Sequence, residues 1–204
     1  MFQRRQVSLY LVVLAFVWRI ATATGNGNWW NKTQSYELYI NRVVCADTPY
    51  LETELLKCRS VSRRNLMPSI YVTIYVPKVY NYMMVQYTMY YKFQTYQPFL
   101  INGEFEVCDT LKDNYPGTLR DPLTTYALRI LKQMIPKLVV PCPHGNQTYV
   151  VETVFEKEYA PQSIPAGDYR LDLRFAAKSN VTLLHLQGYF SARRKGILSS
   201  MIEW

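Results

Sequence analysis

The chain has 204 residues and a mean hydropathy of −0.14, with 23 Lys and Arg against 15 Asp and Glu for a formal charge of +8. Three of those positive charges, Arg4, Arg5 and Arg19, fall at the extreme N-terminus, and the remaining excess of about +5 is too small for a nucleic-acid footprint. About 180 residues follow that N-terminal stretch, a normal size for one domain with a substantial core.

Residues 1–23 read as a secretory signal peptide. A basic start at Arg4-Arg5 precedes a nearly unbroken apolar run from Val7 to Trp18, and Ala21-Thr22-Ala23 offers small residues for cleavage. The run is about 12 residues, short of the ~20 a membrane-spanning helix needs. The mature protein is therefore expected to be secreted and extracellular. Residues 24–35, with Gly25, Asn26, Gly27 and Asn28 around Trp29-Trp30, read as a flexible lead-in.

From Tyr36 onward period-two alternation dominates, and it predicts strands at 36–45 and 54–62. Ile70, Val72, Ile74 and Val76 then share one side of a strand, with Tyr71, Thr73 and Tyr75 on the other. Val85, Tyr87, Met89, Tyr91 and Phe93 alternate with Gln86, Thr88, Tyr90 and Lys92. A further strand is expected at 100–107. Asp121-Pro122 then starts a helix, a side-chain acceptor before a residue whose missing N–H costs nothing in the first turn. Leu123, Ala127, Ile130 and Met134 fall on one face of it, and Pro136 ends it, giving one short inserted helix near 121–135. A strand at 149–155 follows. The cleanest strand comes next, where Tyr169, Leu171, Leu173 and Phe175 alternate with Asp168, Arg170, Asp172 and Arg174. The last strand covers 181–192, including Leu184 and Leu186, and residues 193–204 read as a basic tail opened by Arg193-Arg194-Lys195. The pattern is all-β: a two-sheet, immunoglobulin-like sandwich of about seven or eight strands over residues 36–192.

Export gives the four cysteines and three sequons their meaning. In an oxidising compartment an even cysteine count reads as disulfides, and no histidine pair or Cys-x-x-Cys is present to build a metal site. Three connectivities are possible; Cys45–Cys58 with Cys108–Cys142 is favoured because each bridge then ties down a local excursion. Asn31, Asn146 and Asn180 head Asn-x-Thr acceptors for N-glycosylation.

Catalytic signals are weak. His144 and His185 belong to no nucleophile or metal motif, and Glu104 and Glu106 share a strand face as solvated carboxylates do. No catalytic residue and no cofactor is expected, and the protein reads as a non-enzyme. The inward faces are rich in apolar residues, and an interior left open between the sheets would take an apolar ligand. Alternation nominates Ile70, Val72, Ile74, Val85, Tyr87, Met89, Phe105, Leu171, Leu173, Phe175, Leu184 and Leu186 as lining residues. Burying twelve methylenes there would contribute roughly 10 kcal/mol before ordering costs, enough for micromolar affinity without a charged anchor. The alternative is an extracellular protein–protein module with a filled core and an aromatic face of Tyr71, Tyr75, Tyr80, Tyr82 and Tyr90, drawn from the chain's 18 tyrosines. A peptide precursor cut at Arg193-Arg194-Lys195 is a third.

The order of elements carries a resemblance: Val44-Cys45; Cys58 with Arg59 and Arg63-Arg64-Asn65; Pro98-Phe99-Leu100-Ile101-Asn102; Phe105-Glu106-Val107-Cys108-Asp109; the helix; Val140-Pro141-Cys142-Pro143; and Pro165-Ala166-Gly167-Asp168-Tyr169. Over about residues 36–192 the chain resembles a family of small secreted insect proteins of unknown function that includes the chemosensory CheB proteins. That family is remotely similar to the ML lipid-recognition superfamily and the ganglioside activators. The resemblance implies a sandwich that opens at one edge to a lipid, fatty acid or pheromone-like hydrocarbon. It adds chemosensory signalling as a role and a membrane receptor as a further candidate partner, and supplies no catalytic residue.

Overall fold

A computed structural model describes residues 36–63, 66–111, 122–161 and 163–195. The signal peptide, the lead-in, Asn31 and Asp121 lie outside the described residues, as does the tail beyond Lys195. The strands are β1 (Tyr36–Cys45), β2 (Glu54–Arg63), β3 (Leu66–Tyr80), β4 (Met84–Lys92), β5 (Tyr96–Glu106), β6 (His144–Val154), β7 (Gly167–Ala176) and β8 (Thr182–Arg194). Between β5 and β6 come a single helical turn, α1 (Val107–Thr110), and the amphipathic helix α2 (Pro122–Met134). A 3-10 turn, Lys157–Tyr159, follows β6.

The strands form two antiparallel sheets, one ordered β1-β8-β7-β4-β5 and the other β2-β3-β6. Register places the inward residues of β4, β7 and β8 in rows that cross the large sheet: Val85, Phe175 and Leu184; Tyr87, Leu173 and Leu186; Met89, Leu171 and Gly188; Tyr91, Tyr169 and Phe190. Ile70, Val72 and Ile74 of β3 are buried on the facing sheet, flanked by Tyr149 and Val151 of β6. The period-two pattern is thus the physical basis of both layers.

Four strands, β3, β5, β6 and β8, run beyond their sequence-predicted limits. β3 extends through Pro77 to Tyr80 across a register shift between Val76 and Val79. β5 begins at Tyr96, with Leu100 at φ 59 inside it. β6 begins at His144, where Gly145 at φ 125 packs against the Lys78 carbonyl so closely that no Cβ would fit. β8 includes Arg193 and Arg194, and Arg193 Nη2 lies 2.8 Å from Asp168 Oδ1. The basic run therefore ends a strand instead of opening a free tail.

Both disulfides follow the favoured pairing, Cys45–Cys58 and Cys108–Cys142. Asn146 and Asn180 are exposed, as carriers of a glycan need to be. Replacing Cys45 and Cys58 together by serine is expected to remove about 3 kcal/mol of stability by freeing the unfolded chain. The urea midpoint of the double variant, compared with the parent, measures that loss.

Candidate functional site

The two sheets do not meet everywhere. Between them, beneath α2, lies an apolar cavity of about 230 Å³. Its floor is the large sheet, through Tyr87, Met89, Leu171, Leu173, Phe175, Leu184, Leu186 and Gly188, and its roof is β3 and β6, through Ile70, Val72, Ile74, Val151 and Thr153. Interiors are normally close-packed, so an open volume of this size is a property of the fold and not a packing tolerance.

Each sequence-nominated lining residue has a defined position. Ile70, Val72, Ile74, Tyr87, Met89, Leu171, Leu173, Phe175, Leu184 and Leu186 border the cavity. Val85 and Phe105 do not. They face each other across the β4–β5 pair, buried in the packed part of the core, with Phe105 tilted against Tyr87 at 6.2 Å between ring centroids. Alternation assigned them the correct side of the sheet, but it carries no information on where along a strand the interior is filled.

Helix α2 closes one side. Its predicted face, Leu123, Ala127, Ile130 and Met134, points to the cavity together with Tyr126 and Leu131, while Thr124, Leu128 and Leu131 are the most buried. The Tyr87 hydroxyl and Thr124 Oγ1 are 3.4 Å apart. The Cys108–Cys142 bridge ties α1 to the start of β6, and Glu106 caps α1, its carboxylate accepting from the backbone N–H groups of Met83, Cys108 and Asp109. Glu106 is thus a cap rather than a solvated carboxylate, whereas Glu104 is exposed and accepts from Gln86 Nε2.

The end of the cavity is covered by a strap of residues 155–161 and 163–166, and phenols from four elements fix it. Tyr126 Oη of α2 donates to the Tyr159 carbonyl at 2.6 Å, Tyr36 Oη of β1 to Pro161, Tyr169 Oη of β7 to Pro165 at 2.6 Å and Tyr91 Oη of β4 to Ala166 at 3.0 Å. Burial pushes the Tyr36 phenol far up and those of Tyr126 and Tyr169 up to about 12, so all three stay protonated donors. Phe155, Tyr159, Ala160, Pro161 and Ile164 of this strap line the cavity. Sequence reasoning missed the strap. Its signal was Tyr159 followed by Pro161 and Pro165, carbonyl-rich irregular chain beside a tyrosine-rich sheet.

The outer face of the large sheet is polar and cross-linked. Arg170 stacks 4.2 Å from the Tyr90 ring centroid and lies 2.8 Å from Asp172 without hydrogen-bond alignment. His185 sits between two carboxylates, Asp172 Oδ2 at 3.7 Å from Nε2 and Asp47 Oδ2 at 2.7 Å from Nδ1. Asp172 first and Asp47 second favour the imidazolium and raise the His185 pKa against the effect of burial. A raised imidazole pKa stabilises the fold below the ordinary histidine range, and that stability is lost as pH rises through the folded value. The thermal midpoint of the parent minus that of His185→Gln is therefore expected to be largest near pH 5.5 and to shrink above about pH 7. An unchanged difference across this range would remove the charged imidazole from the account.

The five tyrosines of the alternative interface do not form one face. Tyr71 and Tyr75 alternate with the inward residues of β3 on the small sheet, Tyr71 beneath Lys57 and Arg59, whereas Tyr90 is on the large sheet under Arg170. Tyr80 donates to Glu52, and Tyr82 is half-buried.

Among the described residues no cluster of three or more His, Cys, Asp or Glu is placed to hold a metal, and no helix is long and apolar enough to cross a membrane. No curated protein matches the chain. Among the solved structures similar to it are chicken MD-1 complexed with lipid IVa, at 11% identity over 81% of this chain and 94% of that one with a TM-score of 0.33, and a Niemann-Pick type C2 protein from Japanese carpenter ant, at 14% identity over 72% and 96% with a TM-score of 0.35. From the start of β4 into β7, residues 85–171, the chain matches the model of a protein family of unknown function, DUF1091.

Proposed function

We propose that the chain is a secreted, non-catalytic binding protein that encloses a hydrophobic small molecule between its sheets, for carriage or presentation. The observation that carries this is the apolar cavity of about 230 Å³ beneath α2 and the strap. Each methylene of a guest that leaves water for this apolar wall contributes about 0.8 kcal/mol to binding. Export is supported by the N-terminal pattern of residues 1–23 and by two disulfides, which persist in oxidising compartments. Presentation to a membrane receptor in chemosensory signalling is the role that the sequence resemblance adds.

The test is to express the full chain in insect cells, purify the secreted form, and compare its native mass with that of its organic extract. A stoichiometric apolar molecule in the extract, or uptake of the fluorescent probe N-phenyl-1-naphthylamine by the protein as purified, is the expected result. Failure of both would end the ligand-binding reading and return attention to a protein partner.

A further inference from the structure

The chemistry of the cavity wall restricts what can occupy it. None of the described residues lining it is charged, and none is a histidine. The lining residues that carry a hydroxyl are Tyr87, Tyr126, Thr153, Tyr159 and Tyr189. Tyr87 lies beside Thr124, Tyr126 donates to the Tyr159 carbonyl, and Tyr189 Oη donates to Gln187 Oε1 at 3.0 Å, while Thr153 and Tyr159 bring neutral hydroxyls that offer an ion no counter-charge. The charges nearest in sequence to the lining residues of β7 and β8, those of Arg170, Asp172, Arg174 and Arg193, are spent on the outer face of the sheet in contacts with Tyr90, His185, Gln86 and Asp168. A carboxylate or phosphate drawn into this space would lose its water and find no counter-charge in the wall, which is costly for an ion.

Volume sets the second restriction. A cavity of about 150 Å³ lined by aliphatic and aromatic residues accommodates benzene. By proportion, about 230 Å³ holds on the order of nine carbon atoms.

Building on the reading of this cavity as a ligand site, we infer that its ligand is an uncharged, medium-length apolar molecule of about nine carbons, such as a hydrocarbon, ester or ketone, and not an ionised fatty acid or a phospholipid. The selectivity comes from the wall. An acid and its methyl ester differ little in shape, so only the missing counter-charge separates them.

The experiment is binding of nonane, methyl nonanoate, nonanoic acid and dodecylphosphocholine to the disulfide-bonded secreted protein, read as adducts in native mass spectrometry and as displacement of N-phenyl-1-naphthylamine. At pH 7.5 methyl nonanoate is expected to bind at least about a hundredfold more tightly than nonanoic acid. Near pH 4, where the carboxyl group gains its proton, the gap should close to within about tenfold while the ester's own affinity holds. Lengthening the ester from six to nine carbons should raise affinity at each step, and lengthening it to eighteen should bring no further gain. Uptake of the probe with equal affinity for acid and ester at pH 7.5, or tighter binding of dodecylphosphocholine than of nonane, would overturn the inference and leave the ligand-binding function standing. Uptake of neither the probe nor any of the four ligands would fail the function itself.

Discussion

Gly188→Leu is expected to lower the affinity for an apolar ligand about a hundredfold while leaving the fold at least as stable as the parent. Gly188 is the small member of its inward row, between Val43 of β1 and Leu171 of β7, and it borders the cavity. A Cβ added there would meet nothing nearer than the Leu171 carbonyl oxygen at 4.0 Å. Four new carbons would take the place of about four of the guest's, and at ~0.8 kcal/mol per methylene that is roughly 3 kcal/mol of lost binding. Stability moves the other way, because a strand-interior glycine is costly by about 0.5–1 kcal/mol and the new side chain buries apolar surface. Probe displacement and thermal unfolding on the same preparation give both signs. A variant that melts higher and still binds like the parent would place the guest elsewhere in the molecule.

Tyr169→Ala carries the largest expected loss of stability, about 4 kcal/mol. The side chain is fully buried, stacks on Phe190 with centroids 5.2 Å apart, meets the Tyr91 ring edge-on at 5.1 Å and touches Phe99 at 6.2 Å. It also anchors the strap through Pro165. Tyr169→Phe keeps the rings and gives up one hydrogen bond, so its expected cost is only about 1 kcal/mol. Urea unfolding of the pair separates ring packing from the latch. Equal losses in the two variants would mean that the hydroxyl, not the aromatic cluster, holds this end of the sandwich.

Much of this architecture was legible in the sequence because alternation is a local property. Asp168 to Phe175 states its own wet and dry faces, and β7 follows that pattern. The stop and start signals around α2 are likewise local, as is the preference for sequential disulfides. What the residues do not encode locally is how far apart two inward faces come to rest. Val85 and Tyr87 look alike in the pattern, yet one is sealed in packed core and the other borders open space. The irregular starts of β5 and β6 were hidden by Pro98 and by Gly145-Asn146, residues that read as turns and here begin strands. The carboxylates around His185 come from positions 47 and 172, and no spacing rule links residues brought together only by sheet register and a loop. Gly188 was the one readable hint of a void, a glycine in the series Leu184, Leu186, Gly188, Phe190 where each neighbour is large and apolar.

The positions of the two disulfides constrain the motions by which a guest is admitted. Cys45–Cys58 joins β1 to β2, and Cys108–Cys142 joins the turn after β5 to the start of β6. These are the outer strands of both sheets, so each flank of the sandwich is riveted and the layers cannot part like covers along either side. Breathing is left to α2 and the strap, which four phenolic hydrogen bonds of about 1 kcal/mol apiece join to each other and to the large sheet. Hydrogen exchange should therefore report occupancy in α2 and in the strap, while the amides of β3 and β7 exchange alike with and without a guest.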